Sequence, residues 1–505
     1  MRRRLPPPIL AVPAAAASLV SLVPVWYLFD RSFGSGPSAV VDELWQRRTL
    51  DLVSRSLALT LAVTAASVLI GVTAAWIVVR SDLPGRRVLR VAFALPLAIP
   101  SYLSAFAWIS WQPSLAGFTG AALVLTLVSF PYVMLPVVAA LQHLDPAHEE
   151  VARSLGAGRY TVLWRVVVPR VRTAIAAGAL LVALYVLSDF GAVAAMRYEA
   201  FTWVIYGAYR AGFNPARAAI LATTLVVLAS MLVAAEAAAR GRATARVGGG
   251  TARRATPVRL GPAGIIGAYS FASIVLLPAL ALPAWRITTW LRTYASTDVD
   301  LADVRRALTS TIVLGALAAL FTVALALPVG ILAARSRSAF ARAVERTTYV
   351  THALPGIVVA ISLVFVGVRL LRPIYLETPL LVLGYGVLFL PLAVGSVRNS
   401  VEQSSRRAEE IARSLGERPS GVLRRVTIPL AAPGIGAAAA MVVLATMKEL
   451  PVTLILHPTG TETLATRLWH FTSVSDYANA GPYALALVLF AAIPTALLGI
   501  STEHS

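Results

Sequence analysis

The chain contains no cysteine, and that absence removes disulfides, thiolate metal sites and cysteine nucleophiles together. Charge is also scarce. Only 13% of the 505 residues are Asp, Glu, Lys or Arg against 58% hydrophobic, too little polar surface for a soluble globule of this length. Acidic residues are the scarcer kind, 24 against 44 Lys and Arg, which gives a formal net charge of +20. A nucleic-acid binder would gather its basic residues on one face beside aromatic stacking partners. Here they fall in short runs between apolar segments, the pattern of a membrane protein obeying the positive-inside rule, so lipid is an expected partner and nucleic acid is not. No Gly-x4-Gly-Lys-Ser/Thr phosphate loop occurs in the chain. His143, His148, His352, His457, His470 and His504 make no i,i+4 pair or His-x-x-Glu group, and neither a resident metal nor any other cofactor is expected in this chain.

What the chain does have is a repeat. Glu149 to Pro169 recurs as Glu409 to Pro429 at a constant offset of 260, with twelve of the twenty-one positions identical. The shared positions include Glu149/Glu409, Glu150/Glu410, Ala152/Ala412, Gly156/Gly416 and Pro169/Pro429. Each copy is polar and helix-forming between long apolar segments. The sequence predicts a helix up to Leu155, a left-handed Gly cap, a second short amphipathic helix, and a Pro at the entrance to the next span. Such a pair, lying flat on the membrane, suits helix-in-groove docking on a soluble partner. A merely solvated interfacial pair does not require two matched copies.

Apolar runs of the ~20 residues that a span needs occur at about 9–29, 56–79, 88–111, 118–141, 173–195 and 216–239, then at 264–285, 307–334, 349–371, 379–397, 434–456 and 483–499. The first run, behind Met1-Arg2-Arg3-Arg4, has some features of a signal peptide, but its length and the interfacial Trp26 and Tyr27 favour an uncleaved helix. These runs predict an all-α integral membrane protein of about twelve transmembrane helices in two pseudo-symmetric, parallel six-helix repeats. The first repeat covers 1–239 with its polar module at 143–172. A flexible basic linker follows at 240–263, containing Gly248 to Gly250 and Arg253-Arg254. The second repeat covers 264–505 with its module at 401–432. Twelve spans put both termini on one side, and if that side is the cytoplasm it carries about twice the Lys and Arg of the other. Both polar modules then lie in the cytoplasm. Further matches support the repeat: Ala94-Leu95-Pro96 with Ala353-Leu354-Pro355, Phe130-Pro131 with Leu390-Pro391, and Ser188-Asp189-Phe190-Gly191 opposite Lys448-Glu449-Leu450-Pro451. Parallel repeats place any solute pathway between them.

Asp189 and Glu449, with Ser188 and Lys448 beside them, are pseudo-symmetric polar positions inside predicted spans. A buried charge there costs ~2.5 to 3.5 kcal/mol on insertion scales, so something must offset it. Two readings stand about equally: the acids interact with a cation in transit, or they are structural, paired with Lys448 and Arg197. Tyr102, Tyr185 and Tyr385 are weaker pathway candidates, since membrane aromatics usually pack. The segments Met196 to Pro215 and His457 to Pro482, with Glu199, Tyr206, Asn214, Glu462, Asp476 and Asn479, suit lid pieces on the outer face or ordinary loops.

Glu-x-Ala-x3-Gly-x9-hydrophobic-x-hydrophobic-Pro, at Glu150 to Pro169 and at Glu410 to Pro429, resembles the EAA loop of the permease subunits of ATP-binding-cassette importers. Val151 and Ile411 depart mildly from the usual Ala. Two such loops in one twelve-span chain resemble the fused permeases of the ferric-iron uptake group. Lys448-Glu449-Leu450-Pro451-Val452-Thr453 and Thr463 to Trp469 carry the iron likeness; thiamine, sulfate, polyamine and phosphonate permeases share the architecture. The resemblance implies a non-enzymatic permease in a bacterial inner membrane, moving ferric iron from a periplasmic or lipid-anchored substrate-binding protein. It implies two copies of a separate ATPase subunit, docked through Glu150 and Glu410 with Gly156 and Gly416 setting the turns. A gradient-driven secondary transporter also uses parallel repeats and intramembrane acids, but has no ATPase to dock. A channel would require pore-lining rings from several subunits.

Overall fold

The computed structural model describes residues 8–34, 36–145, 147–210, 215–240, 257–294, 300–336, 338–351 and 354–501. The start at Met1 to Arg4, Asn214, His352, Ala353, His504 and most of the basic linker, residues 241–256, lie outside the described residues, as does the His148 side chain. The described chain is helical, with one isolated bridge between Ser81 and Val258.

Among the described residues, nine helices are long and apolar enough to cross a membrane. The remaining three predicted spans are broken or short. Arg86–Ala98 and Ser101–Trp111 meet at an 89° bend because Ile99 is extended and Pro100 follows it; a residue before Pro is pushed out of the helical region. The predicted span 349–371 divides at the matching place, where Ala339–Val350 ends and Gly356–Arg369 starts behind Pro355. The last apolar segment is Tyr477–Ser501. The predicted spans 173–195 and 434–456 are interrupted as well, at Asp189-Phe190 and at Glu449-Leu450, and continue as the short helices Gly191–Ala195 and Pro451–Leu456.

The breaks correct one sequence match. Pro100 and Pro355 each precede the helix after the bend, so Ile99-Pro100 corresponds to Leu354-Pro355, at an offset of 255. Leu95-Pro96 instead belongs to a short 3-10 turn. The offset returns to 260 further on, because helix Gly356–Arg369 and the connection to Thr378 are together longer than helix Ser101–Trp111 and the connection to Phe118.

Two compact units cut across the sequence halves. One comprises Met1–Gln46, Val204–Val226 and Val299–His470; the other Arg47–Trp203, Val227–Asp298 and Phe471–Ser505. In the first unit the helix Pro8–Phe33 packs on Leu301–Arg335, Ala339–Val350 and Gly356–Arg369, with Ala14, Ala17 and Ser21 fully buried. In the second, Leu282–Tyr294 packs on Tyr477–Ser501 and on Ser101–Trp111. Each unit is built around one long helix, Arg47–Arg80 or Leu301–Arg335. These helices approach their neighbours closely through small residues: a Cβ on Gly71 would meet the Phe130 carbonyl at 2.8 Å, and one on Gly330 the Val397 side chain at 2.8 Å. Close backbone approach is how helices gain packing energy where lipid offers no hydrophobic drive.

The stretch after the first long helix is held by the end of the linker. Val258 donates to the Arg80 carbonyl at 2.7 Å, Leu260 to the Asp82 carboxylate at 2.8 Å, and the Tyr269 hydroxyl to the Pro84 carbonyl at 2.7 Å.

Candidate functional site

Each repeated module starts with a short helix, Ala147–Ser154 or Arg406–Ser414. Each ends in the same six-residue turn. Gly156 has φ +83° and Gly416 +89°, a region that costs an L-residue roughly 1–2 kcal/mol. The N–H of Gly156 bonds to the Arg153 carbonyl at 3.0 Å and that of Ala157 to the Ala152 carbonyl at 3.0 Å; Gly416 and Glu417 do the same with Arg413 at 3.1 Å and Ala412 at 3.0 Å. This is the Schellman pattern that satisfies the last helical carbonyls. Ala152 and Ala412 thus supply acceptor carbonyls in the turn.

The second half of each module is not a separate helix. Arg159–Val162 runs through a π segment, Leu163–Val167, into Val168–Ser188; Pro419–Val422 runs through Leu423–Thr427 into Ile428–Lys448. Pro169 and Pro429 sit in the first turn of those long helices. Pro has no N–H to give the carbonyl four residues earlier, and the wider i→i+5 bonding accommodates the loss. The turn of each module is therefore joined to the span that follows it by continuous helix.

The sequence singles out Glu150 and Glu410 as docking carboxylates and gives Glu149 and Glu409 no separate role; the structure separates the two glutamates of each module. Glu150 and Glu410 are exposed. Glu149 and Glu409 are buried, at 6% and 4% exposure. Glu149 pairs with Arg80, at the last position of the long helix Arg47–Arg80, and with Arg153 at 3.0 Å. Glu409 pairs with Arg335, at the last position of Leu301–Arg335, at 2.9 Å, and with Arg413 at 3.2 Å. Glu409 also accepts from the Thr427 hydroxyl at 3.1 Å, and Arg335 also reaches the Ser404 hydroxyl at 2.7 Å and carbonyl at 3.2 Å. Arg80 and Arg335 escaped the sequence reading because they are related by 255, not 260. The 255 register of Pro100/Pro355 would have exposed them.

Beside the exposed glutamates lies an apolar pair in each module. Val151 and Leu155 are 58% and 82% exposed, Ile411 and Leu415 59% and 79%. At i and i+4 they share one helix face, and the pairs repeat at the same offset of 260 as the glutamates.

Asp189 and Glu449 sit at the breaks of their spans and face the helices that follow. One Asp189 oxygen accepts from the Ala192 and Val193 amides at 2.8 and 3.4 Å; the other accepts from the Ser101 hydroxyl at 2.5 Å. Glu449 accepts from the Val452 and Thr453 amides at 3.0 and 3.1 Å and from the Thr453 hydroxyl at 3.2 Å. Both carboxylates therefore occupy the positive end of a short helix, where amide donors and the helix dipole offset the cost of burial. Ser188 and Lys448 are the last residues of the interrupted helices. Close packing supports both breaks: a Cβ on Gly356 would lie 2.6 Å from a Glu449 carboxylate oxygen, and one on Gly191 2.6 Å from the Tyr102 Cβ.

Tyr385 hydrogen-bonds to Thr453 at 2.7 Å and Tyr185 packs on Tyr132. Among the described residues no three His, Asp or Glu side chains converge as a metal-ligand group. The two segments considered as lids hold the short helices Phe201–Arg210 and Leu464–Ser473.

Residues 67–240 and 326–504 each match the family described as binding-protein-dependent transport system inner membrane component. The chain is 34% identical, over 94% of its length and 95% of the relative's, to the Fe(3+)-transport system permease protein FbpB 2 of Haemophilus influenzae. It is 28% identical over 35% of its length to the sulfate transport system permease protein CysW of Synechocystis, covering 69% of that protein. Sulfate permease 2, chloroplastic, of Chlamydomonas reinhardtii is 26% identical over 44% of this chain and 65% of its own length.

Proposed function

The chain belongs to the binding-protein-dependent transport system inner membrane components, and we propose that it is the fused permease through which an ATP-binding-cassette importer passes ferric iron. The observation that carries the substrate is the likeness to an iron permease along 94% of the chain, whereas the sulfate permeases match 35% and 44% of it. The chain is a permease subunit and not an enzyme. Its chemistry is motion driven from elsewhere.

In this reading both modules face the cytoplasm and each docks one ATPase subunit. Glu150 or Glu410 supplies an exposed carboxylate, and Val151-Leu155 or Ile411-Leu415 an apolar knob. Fully burying one such Leu is worth roughly 1.5–3 kcal/mol, enough for stable seating when two modules act together. ATP-driven closure of the ATPase pair moves both modules. Because each module is continuous with the span after it, that motion enters the spans without a flexible joint and alternates access to the pathway. A substrate-binding protein delivers iron from the opposite face. Asp189 and Glu449 present carboxylates at the breaks of their spans, where a trivalent cation or its complex would meet them in transit.

The test is uptake of radiolabelled ferric iron in cells deleted for the chain. Wild type should restore uptake, excess sulfate should leave it unchanged, and Glu150→Ala with Glu410→Ala should not restore it. Undiminished iron uptake in the deletion strain, with sulfate or thiamine uptake lost instead, overturns the substrate assignment.

A further inference from the structure

The long helices Arg47–Arg80 and Leu301–Arg335 carry a polar attachment at both ends, and the two helices carry it in the same register. At one end the terminal arginine, Arg80 or Arg335, is ion-paired to the buried glutamate of the docking module. At the other, a buried hydroxyl caps the first amide of a short helix. Ser56 accepts from the Phe201 amide at 3.3 Å, and Thr311 from the Leu464 amide at 2.9 Å. Ser56 and Thr311 are 4% and 3% exposed. An ion pair accompanies each cap: Arg55 with Glu199 at 2.9 Å, Arg467 with Asp303 at 3.0 Å. From hydroxyl to arginine is the same 24 residues in both helices, Ser56 to Arg80 and Thr311 to Arg335, or roughly 36 Å of α-helix.

We propose that these two helices are transmembrane struts that couple the short far-side helices, Phe201–Arg210 and Leu464–Ser473, to the ATPase-docking modules. The proposal rests on the importer reading and deepens it by naming how the delivery face is linked to the ATPase face. A helix hydrogen-bonded along its length transmits displacement where a loop would absorb it. The second strut contains Pro328 but runs unbroken to Arg335. Packing alone would fix the helices in the bundle; it would not require that each be fastened, at matching positions, to the two surface elements that face the partners. Coupling of this kind is reciprocal: a ligand that shifts one end must be felt at the other.

The chain has no cysteine, so a single reporter can be placed without background. Thr459→Cys puts a fluorophore on an exposed turn just before the Leu464–Ser473 helix. The labelled chain is purified with its bound ATPase, reconstituted in nanodiscs, and read before and after ATP with vanadate. The wild-type background should respond. Thr311→Val, which keeps shape but removes the acceptor, should diminish the response about fivefold or more while ATP hydrolysis persists, and Thr311→Ser should restore it. An undiminished response in Thr311→Val overturns the strut. Loss of ATP hydrolysis together with the response, unrestored by Thr311→Ser, also overturns it, since the hydroxyl would then serve only the fold. If no ATPase accompanies the wild-type chain, the importer reading fails first and takes the strut with it.

Discussion

Removing Glu149 should cost more than removing Glu409, although the two residues occupy the same place in their modules. Deleting one partner of a buried ion pair costs ~3–5 kcal/mol, mostly because the other charge is stranded. The Arg80 side chain is 6% exposed and the Arg335 side chain 14%. After Glu409→Ala, Arg335 keeps the Ser404 hydroxyl and carbonyl, and each charge-assisted bond is worth roughly 1.5–3 kcal/mol. Arg80 has no such second acceptor among its described contacts. The modules' outer arginines, Arg153 and Arg413, are 46% and 58% exposed, so their pairs contribute at most ~1 kcal/mol and do not alter the order. Glu149→Ala should therefore fall near the upper end of that range and Glu409→Ala near the lower. A gap of ~1–2 kcal/mol is roughly a tenfold difference in local opening. Amide hydrogen exchange across residues 149–157 and 409–417 in nanodiscs measures it directly. Exposed Glu150→Ala and Glu410→Ala should stay within ~0.5 kcal/mol of wild type. Replacing both members of a pair by Met should recover most of the loss. Equal protection in all four single variants would refute the division into buried and exposed glutamates.

Leu155→Ser with Leu415→Ser should weaken retention of the ATPase at least tenfold in detergent pull-downs while leaving exchange of the module amides unchanged, because both side chains are about four-fifths exposed in the chain itself. Gly156→Ala and Gly416→Ala should each destabilise their turn by about 1–2 kcal/mol; a Cβ meets nothing within 4 Å at either site, so the cost is backbone alone, and Asn should cost less than Ala in the same exchange experiment. Asp189→Asn with Glu449→Gln retains a side-chain oxygen for the helix amides and removes both charges. Iron uptake at unchanged expression should fall about tenfold if each charge interacts with the cation by ~0.7 kcal/mol, and unchanged uptake would leave the two acids as helix caps only. Gly356→Ala should cost about 1–3 kcal/mol in thermal unfolding, since its Cβ would overlap the Glu449 carboxylate.

The repeated modules were legible in the sequence because they are contiguous: a turn that needs Gly at one position and a Pro thirteen residues on leaves an ungapped trace, so a fixed offset of 260 finds both copies. The apolar runs were legible as helices, nine of them long enough to span among the described residues, but the breaks were not. Hydrophobicity continues through Ile99-Pro100, Asp189-Phe190 and Glu449-Leu450, and only the backbone shows that the helix stops there. Nor could apolar patterning say that Pro8–Phe33 would pack on the core of the other sequence half, because lipid and protein ask the same of a helix face.

The partners of the buried glutamates were hidden by the five-residue change of register between Ser101 and Phe118 in one half and Gly356 and Thr378 in the other, and that change explains why the two ends of each strut look unrelated in the sequence. Ser56 and Arg80 match Thr311 and Arg335 at 255, while the modules they hold match at 260. Two segments of constant offset that disagree mean an insertion between them, here shared between helix Gly356–Arg369 and its connection to Thr378, against helix Ser101–Trp111 and its connection to Phe118. The insertion falls outside both attachments. The 24-residue spacing of the strut and the spacing within the module are each preserved in both halves, which is what a mechanical link demands and what a loop on the surface does not.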